Sequence, residues 1–199
     1  MDSRTLRRGA ATLLGALALG ATAAAPAAEI LPAPYAGQQT RSIKSLSEEE
    51  RSALLTGQGS GFAKAAELNG YPGPAHVLEL AAQLGLDPTQ HAATRALMSE
   101  HRQRARALGA ELLAAEAELD LLFAGRQARA TTVDETTQKV GSLHARLRAE
   151  HLKTHLAEMA LLTPSQVERY AVLRGYRSDL GNPAPPAAGH PRDAAHQHH

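Results

Sequence analysis

One short pattern occurs twice in this chain and fixes two points of its architecture. Leu86-Asp87-Pro88-Thr89-Gln90 and Leu162-Thr163-Pro164-Ser165-Gln166 stand 76 residues apart. Each has leucine at N′, an oxygen-bearing N-cap, proline at the first helical position and glutamine at N3. The cap side chain accepts from the N3 backbone N–H while the glutamine reaches back to the cap, each bond being worth ~1 kcal/mol. Proline at N1 presets φ and lacks an N–H that would go unpaired anyway. Two ordinary helix starts that converged on good chemistry would carry the same letters. Either way, a helix begins at Pro88 and another at Pro164.

The residues between these starts predict two long helices. From Pro88 to about Phe123, Leu97, His101, Leu108, Leu112, Ala115, Leu119 and Leu122 recur at spacings of three, four and seven, a single narrow stripe. Gly125 and the polar stretch 127–132 predict a turn, and Asp134 is a candidate cap for a return helix over about 135–161. On that helix Val140, Leu143 and Leu147 share one face, with Leu152, Leu156 and Met159 nearly opposite. Two apolar faces predict a second half covered on both sides.

Upstream, Ser47 and Glu50 form a capping box that opens a helix from Glu48 to about Leu55. Gly57, Gly59 and Gly61 then interrupt it, and one or two further turns run through Leu68. Asn69-Gly70 predicts a left-handed ending, Tyr71-Pro72-Gly73-Pro74 a turn, and Pro74 the first position of a helix ending at Gly85. The last helix spans Pro164 to about Arg174. Only 3% of residues are aromatic against 43% hydrophobic, mostly alanine and leucine, which favours helices over sheet. The expected fold is all-α: a long antiparallel helical hairpin with short N-terminal helices and a closing C-terminal helix.

Arg4, Arg7 and Arg8 precede an uncharged run from Gly9 to Ala25, followed by the A-x-A sites Ala21-Thr22-Ala23 and Ala25-Pro26-Ala27. This is the order of a secretory signal peptide, assigned to residues 1–27. Its Arg7-Arg8 pair lacks the rest of a twin-arginine motif, and the run is short and Gly/Thr-diluted for a membrane span. Removing it takes away three basic residues and one acidic one, turning a net charge of +1 into −1. Residues 28–45 form an extended leader, 46–178 the helical domain, and 179–199 a Pro- and His-containing tail expected to be disordered. Export implies the periplasm.

Composition and motifs exclude several functions. Near-neutral charge removes the case for nucleic acid. The chain has no cysteine, which rules out disulfides, thiolate nucleophiles and Cys-based zinc sites. His151-Leu152-Lys153-Thr154-His155 has the spacing of H-E-x-x-H, but Leu152 replaces the glutamate a zinc protease needs as general base. No nucleophile elbow is present, and no phosphate-binding glycine loop follows a strand. No enzyme is expected, and no organic cofactor.

With these residues in view, the chain resembles the LTxxQ-motif Spy/CpxP group of periplasmic stress proteins, including ZraP-like and CnrX-like heavy-metal sensors. LTPSQ at 162–166 matches the motif, and LDPTQ at 86–90 is a degenerate first copy in which Asp87 replaces the threonine. AELNGYPGPAHVLELAAQLGL and ALLTPSQVERYAVLRGY also look like segments of such sensors. The resemblance covers about residues 46–177. It implies a four-helix homodimer that holds unfolded clients without ATP, or senses metal and reports to an inner-membrane sensor or anti-sigma partner.

Ten histidines beside two phenylalanines is the compositional anomaly. His151, His155 and Met159 are spaced i, i+4, i+8, within ~80° of one side of a helix. Imidazole and thioether suit Cu, Ni or Zn. A turn near residue 129 sets His155 opposite about residue 103 and Met159 opposite about residue 99, bringing His101, Met98 and Glu100 within reach. The resemblance adds that CnrX-like members hold metal with His and Met four residues apart, plus His and Glu from neighbouring helices. A solvated histidine face and a core methionine would give the same letters. His144 continues the line toward solvent, His76 and His91 carry little signal, and His190, His196, His198 and His199 form a loose chelating tract. Holding clients would need exposed apolar groups, for which Leu121, Phe123 and Met98 are the candidates.

Overall fold

The computed structural model describes residues 33–178. The signal peptide assigned to 1–27 and the tail assigned to 179–199 lie outside the described residues. By its contacts the chain divides between Ala36 and Gly37, and the fold below is that of the unit beginning at Gly37. Every regular element described is helical. The seven α-helices are α1 (Glu48–Thr56), α2 (Lys64–Glu67), α3 (Pro74–Glu79), α4 (Ala81–Leu84), α5 (Pro88–Ala124), α6 (Ala130–Leu161) and α7 (Pro164–Leu173), after a short 3-10 turn at Gln38–Thr40.

The capping signals mark the helix starts as expected. Ser47, Asp87 and Thr163 each accept from the N3 backbone while Glu50, Gln90 and Gln166 reach back, and proline opens α3, α5 and α7. Two boundaries differ from expectation. The helix beginning at Pro74 breaks at Leu80 into α3 and α4. The return helix begins at Ala130 rather than after Asp134, because Thr132 Oγ1 accepts from Arg129 N and donates to Arg129 O.

α5 and α6 pack along most of their length in opposite directions. Thr94 bonds Glu158, Arg104 pairs with Glu150, Glu111 with Arg146 and Glu118 with Lys139. α1 and α3 pack on α5, α2 packs on α6, and α4 on α7. The crossing of α1 over α5 depends on Gly109: a Cβ there would run into the Leu54 carbonyl.

Two apolar clusters form along these helices. Leu54, Ala105, Leu112, Ala115, Leu143 and Leu147 make one, with Phe62, Leu108 and Val140 at its edge. Val77, Leu84, Leu162 and Tyr170 make the other, joined by Leu86, so both motif leucines pack there. Between the clusters, along α5 and α6, the buried side chains are Thr94, His101, His151, Thr154 and Glu158. The expected second apolar face of α6 is only partly covered: Leu156 is 56% exposed, and Leu152 and Met159 are half-buried. The covered side is the polar one, because the inward period 147, 151, 154, 158 passes through polar residues.

The two motif copies are bonded to each other. Gln90 Nε2 donates to Gln166 Oε1 and Gln166 Nε2 to Gln90 Oε1, both at 2.9 Å. Gln90 Nε2 also donates to the Leu161 carbonyl, and Gln166 Nε2 lies 3.5 Å from the Gly85 carbonyl. Each glutamine thus caps its own helix and holds the residue preceding the other motif. The repeat is a pair of interlocked helix starts.

Candidate functional site

A cleft of about 710 Å³ opens beside the buried polar layer. Its lining comes from the Gly57–Gly61 loop, α2, the Gly73 turn, α5, α6 and the segment after α7. Of the sequence-derived candidates, His101, His151, His155 and Met98 line it. Glu100 and Met159 do not. Glu100 sits on the exposed face of α5, 3.3 Å from Arg104. Met159 lies ~80° around the helix from His151, which carries it to the rim of the packed face.

Hydrogen bonds assign the proton on two of these imidazoles. Thr154 Oγ1 donates its only proton to the Glu150 carbonyl at 2.9 Å, so the 2.9 Å contact with His101 Nδ1 makes that nitrogen the donor. His155 Nδ1 lies 2.8 Å from the Tyr71 carbonyl and must likewise donate. In the neutral form of either ring the lone pair is therefore on Nε2. His151 Nε2 is buried with no hydrogen-bond partner among the described residues. Its ring stands 4.5 Å from that of His101 and stacks on Phe62 at 5.5 Å. His155 is held from the other side by Gly73, where a Cβ would come within 2.7 Å of its ring.

Burial shapes the electrostatics of this layer. It pushes the His151 imidazole down to about 4, helped by the facing His101, so His151 is neutral at pH 7. Burial also lowers His101, against the pull of Glu150 3.5 Å away. Glu158 is fully buried; its Oε1 accepts from Thr94 at 3.0 Å, its Oε2 has no partner, and burial pushes its carboxyl up to about 7. At one end of the cleft Glu67 Oε1 accepts from Tyr170 and Tyr176 and faces Arg174, while Oε2 lies 3.7 Å from His155 Nδ1 and accepts nothing. Burial and this bond push the Tyr170 phenol far above its usual range.

Sequence reasoning did not single out Glu67, Thr154 or Glu158. Thr154 and Glu158 continue the core period of α6, which is the signal that finds them. Glu67 is reached through contacts distant in sequence, with Tyr170, Tyr176 and His155.

The donor set on one wall is three imidazoles and a thioether, with Glu67 beyond. Such a set suits a borderline transition ion. The Thr154 and Tyr71 bonds are the kind that orient metal-ligating histidines, and the orphaned His151 Nε2 is a donor without a present use. Among the described residues no group of three or more His, Asp or Glu side chains is placed to hold a metal ion. No described helix is long and apolar enough to cross a membrane. Comparison with protein-family models, curated proteins and solved structures finds no match to this chain.

Proposed function

We propose that this is a periplasmic, metal-responsive stress protein of the Spy/CpxP type, built as that group's helical hairpin with a closing helix and binding Cu, Ni or Zn in the cleft. The observation that carries this reading is a set of three imidazoles on one cleft, each with Nε2 bonded to nothing among the described residues. His101 and His155 are tautomer-fixed with Nε2 free, and His151 Nε2 is neutral and unpartnered. A bound ion would supply the charge those nitrogens lack. It would bridge α5 and α6, giving their packing a dependence on metal. The signal peptide and the two LTxxQ-like copies support the location and the group.

Metal titration of the chelator-stripped full chain tests this reading. His190, His196, His198 and His199 are replaced by alanine to remove the chelating tract. Micromolar or tighter binding is expected, weakened at least about tenfold in His101→Ala, His151→Ala and His155→Ala, with a metal-dependent rise in Tm. Equal thermal midpoints with and without metal would defeat it.

A second reading, ATP-independent holding of unfolded clients, is favoured by the exposure of Leu121 (67%) and Phe123 (60%). Met98, the third candidate for that role, is half-buried at the cleft. Client holding predicts suppressed aggregation of a denatured protein by the metal-free chain, reduced in Leu121→Ser/Phe123→Ser.

A further inference from the structure

The cleft has a second wall whose chemistry is opposite to that of a bare cation site. Lys64, Arg102, Arg106 and Arg174 line it together with His76, whereas Glu67 is the only carboxylate along it among the described residues. Arg174 is offset by Glu67, 3.6 Å away. Lys64, Arg102 and Arg106 form no ion pair among the described residues, although Arg104 on α5 and Arg146 on α6 do. Arg102 and Arg106 are one turn apart on α5 and project over the Gly57–Gly61 loop. A Cβ on Gly57 would lie 3.2 Å from the Arg102 carbonyl and 3.3 Å from Arg106 Cγ, and Arg106 Nε donates to the Thr56 carbonyl. The N–H groups of Gly59, Ser60 and Gly61 donate to nothing among the described residues, because the chain turns there through left-handed Ser60 and Gly61. At the inner end stands His151, only 4% exposed and with Nε2 unpartnered.

We infer that this cleft binds a small organic oxyanion, a phosphate or carboxylate, with its head on Lys64, Arg102, Arg106 and the 59–61 backbone. Its body extends toward Gly73 and His155. Three uncompensated cations above a glycine loop with free N–H donors make a site for a compact negative charge. A cleft of about 710 Å³ is larger than a bare inorganic anion needs and falls in the size range of small-molecule pockets. This inference does not rest on the metal reading. If an ion also binds the imidazoles, it adds positive charge to the same cleft and strengthens the anion's hold, so the two ligands would bind cooperatively.

The test is calorimetry and thermal shift on the chelator-stripped full chain at low salt, with inorganic phosphate in one arm and citrate in the other. Saturable binding is expected in at least one arm, with citrate separating a carboxylate head from a phosphate. Arg102→Gln/Arg106→Gln, and separately Lys64→Gln, should weaken it by roughly tenfold or more. Arg104→Gln/Arg146→Gln, which removes as much charge elsewhere, should change it less than about twofold. Lys64→Gln keeps the test valid should loss of the Arg106–Thr56 bond disturb the loop. No saturable binding by about 10 mM in either arm, or equal losses in the cleft and control variants, would overturn the inference. Because metal is absent throughout, failure here leaves the metal reading standing, and the reverse holds too.

Discussion

The same two helices bury leucines in one stretch and hydroxyls, imidazoles and a carboxylate in the next. Leu112, Ala115, Leu143 and Leu147 are packed against α1. Further along both helices, Thr94, His101, His151, Thr154 and Glu158 occupy the equivalent inward positions. The helical period does not change between the two stretches; only the side chains do. A buried leucine lowers the free energy of the fold through its area and contacts. A buried imidazole with an orphaned nitrogen raises it unless something else uses that nitrogen. The apolar stretch therefore holds the chain together, and the polar one is kept at some expense of stability.

The sharpest way to break this contrast is a matched pair of substitutions. Leu147→Ala should cost about 2–5 kcal/mol in urea unfolding. His151→Leu fills nearly the same space, keeps an apolar partner for Phe62 and removes the orphaned donor, so it should be neutral or stabilising within about 1 kcal/mol. Equal losses in the two variants would erase the difference between the stretches.

Next in size are the pH limbs. Glu158 is raised from 4.5 to about 7 in the fold, so its contribution is intact below pH 4.5 and is lost as pH rises through 7. His151 is depressed from 6.5 to about 4, so its contribution is intact above pH 6.5 and is lost as pH falls through 4. Each limb should amount to roughly 1–2 kcal/mol after solvent screening. Unfolding measured from pH 4 to 8 should show the alkaline loss flattened in Glu158→Gln and the acid loss flattened in His151→Leu. The leucine-to-alanine variant should keep both.

The smallest effects belong to the interlocked helix starts. Thr163→Ala should cost roughly 0.5–2 kcal/mol of stability while leaving metal affinity unchanged. Gln90→Glu, which an isolated capping box would accept, should cost about 1 kcal/mol at neutral pH. A carboxylate cannot donate to Gln166 Oε1 or to the Leu161 carbonyl.

These contrasts also mark what the letters of the sequence could convey. The starts of α1, α3, α5 and α7 were legible because caps and N1 prolines act within four residues. Asp134 misled because the Thr132 hydroxyl closes the first turn earlier, a choice local propensity does not rank. His101 was legible as an inward histidine from its place on the apolar stripe, whereas His151 was legible only as part of a histidine line that a solvated face would also give. Met159 was not correctly placed, since eight residues of drift turn it off the packed face. Glu158 was not singled out, because its hydrogen-bond partner among the described residues, Thr94, is 64 residues away. Glu67 is similar: nothing near it in sequence announces two phenols and an imidazole. Periodicity carries burial; it does not carry which polar groups will meet.

The reciprocal glutamine bond has a consequence for local opening. A helix normally frays from its own end, independently of distant ends. Here the amide that secures Asp87 N–H is itself clamped by Gln166, and the amide on Thr163 N–H by Gln90. Deuterium uptake at either helix start should therefore report on both. Truncating Gln166 to alanine should hasten exchange at Asp87, by way of Gln90, whose partner lies 76 residues further along the chain, while amides in the middle of α5 keep their rates.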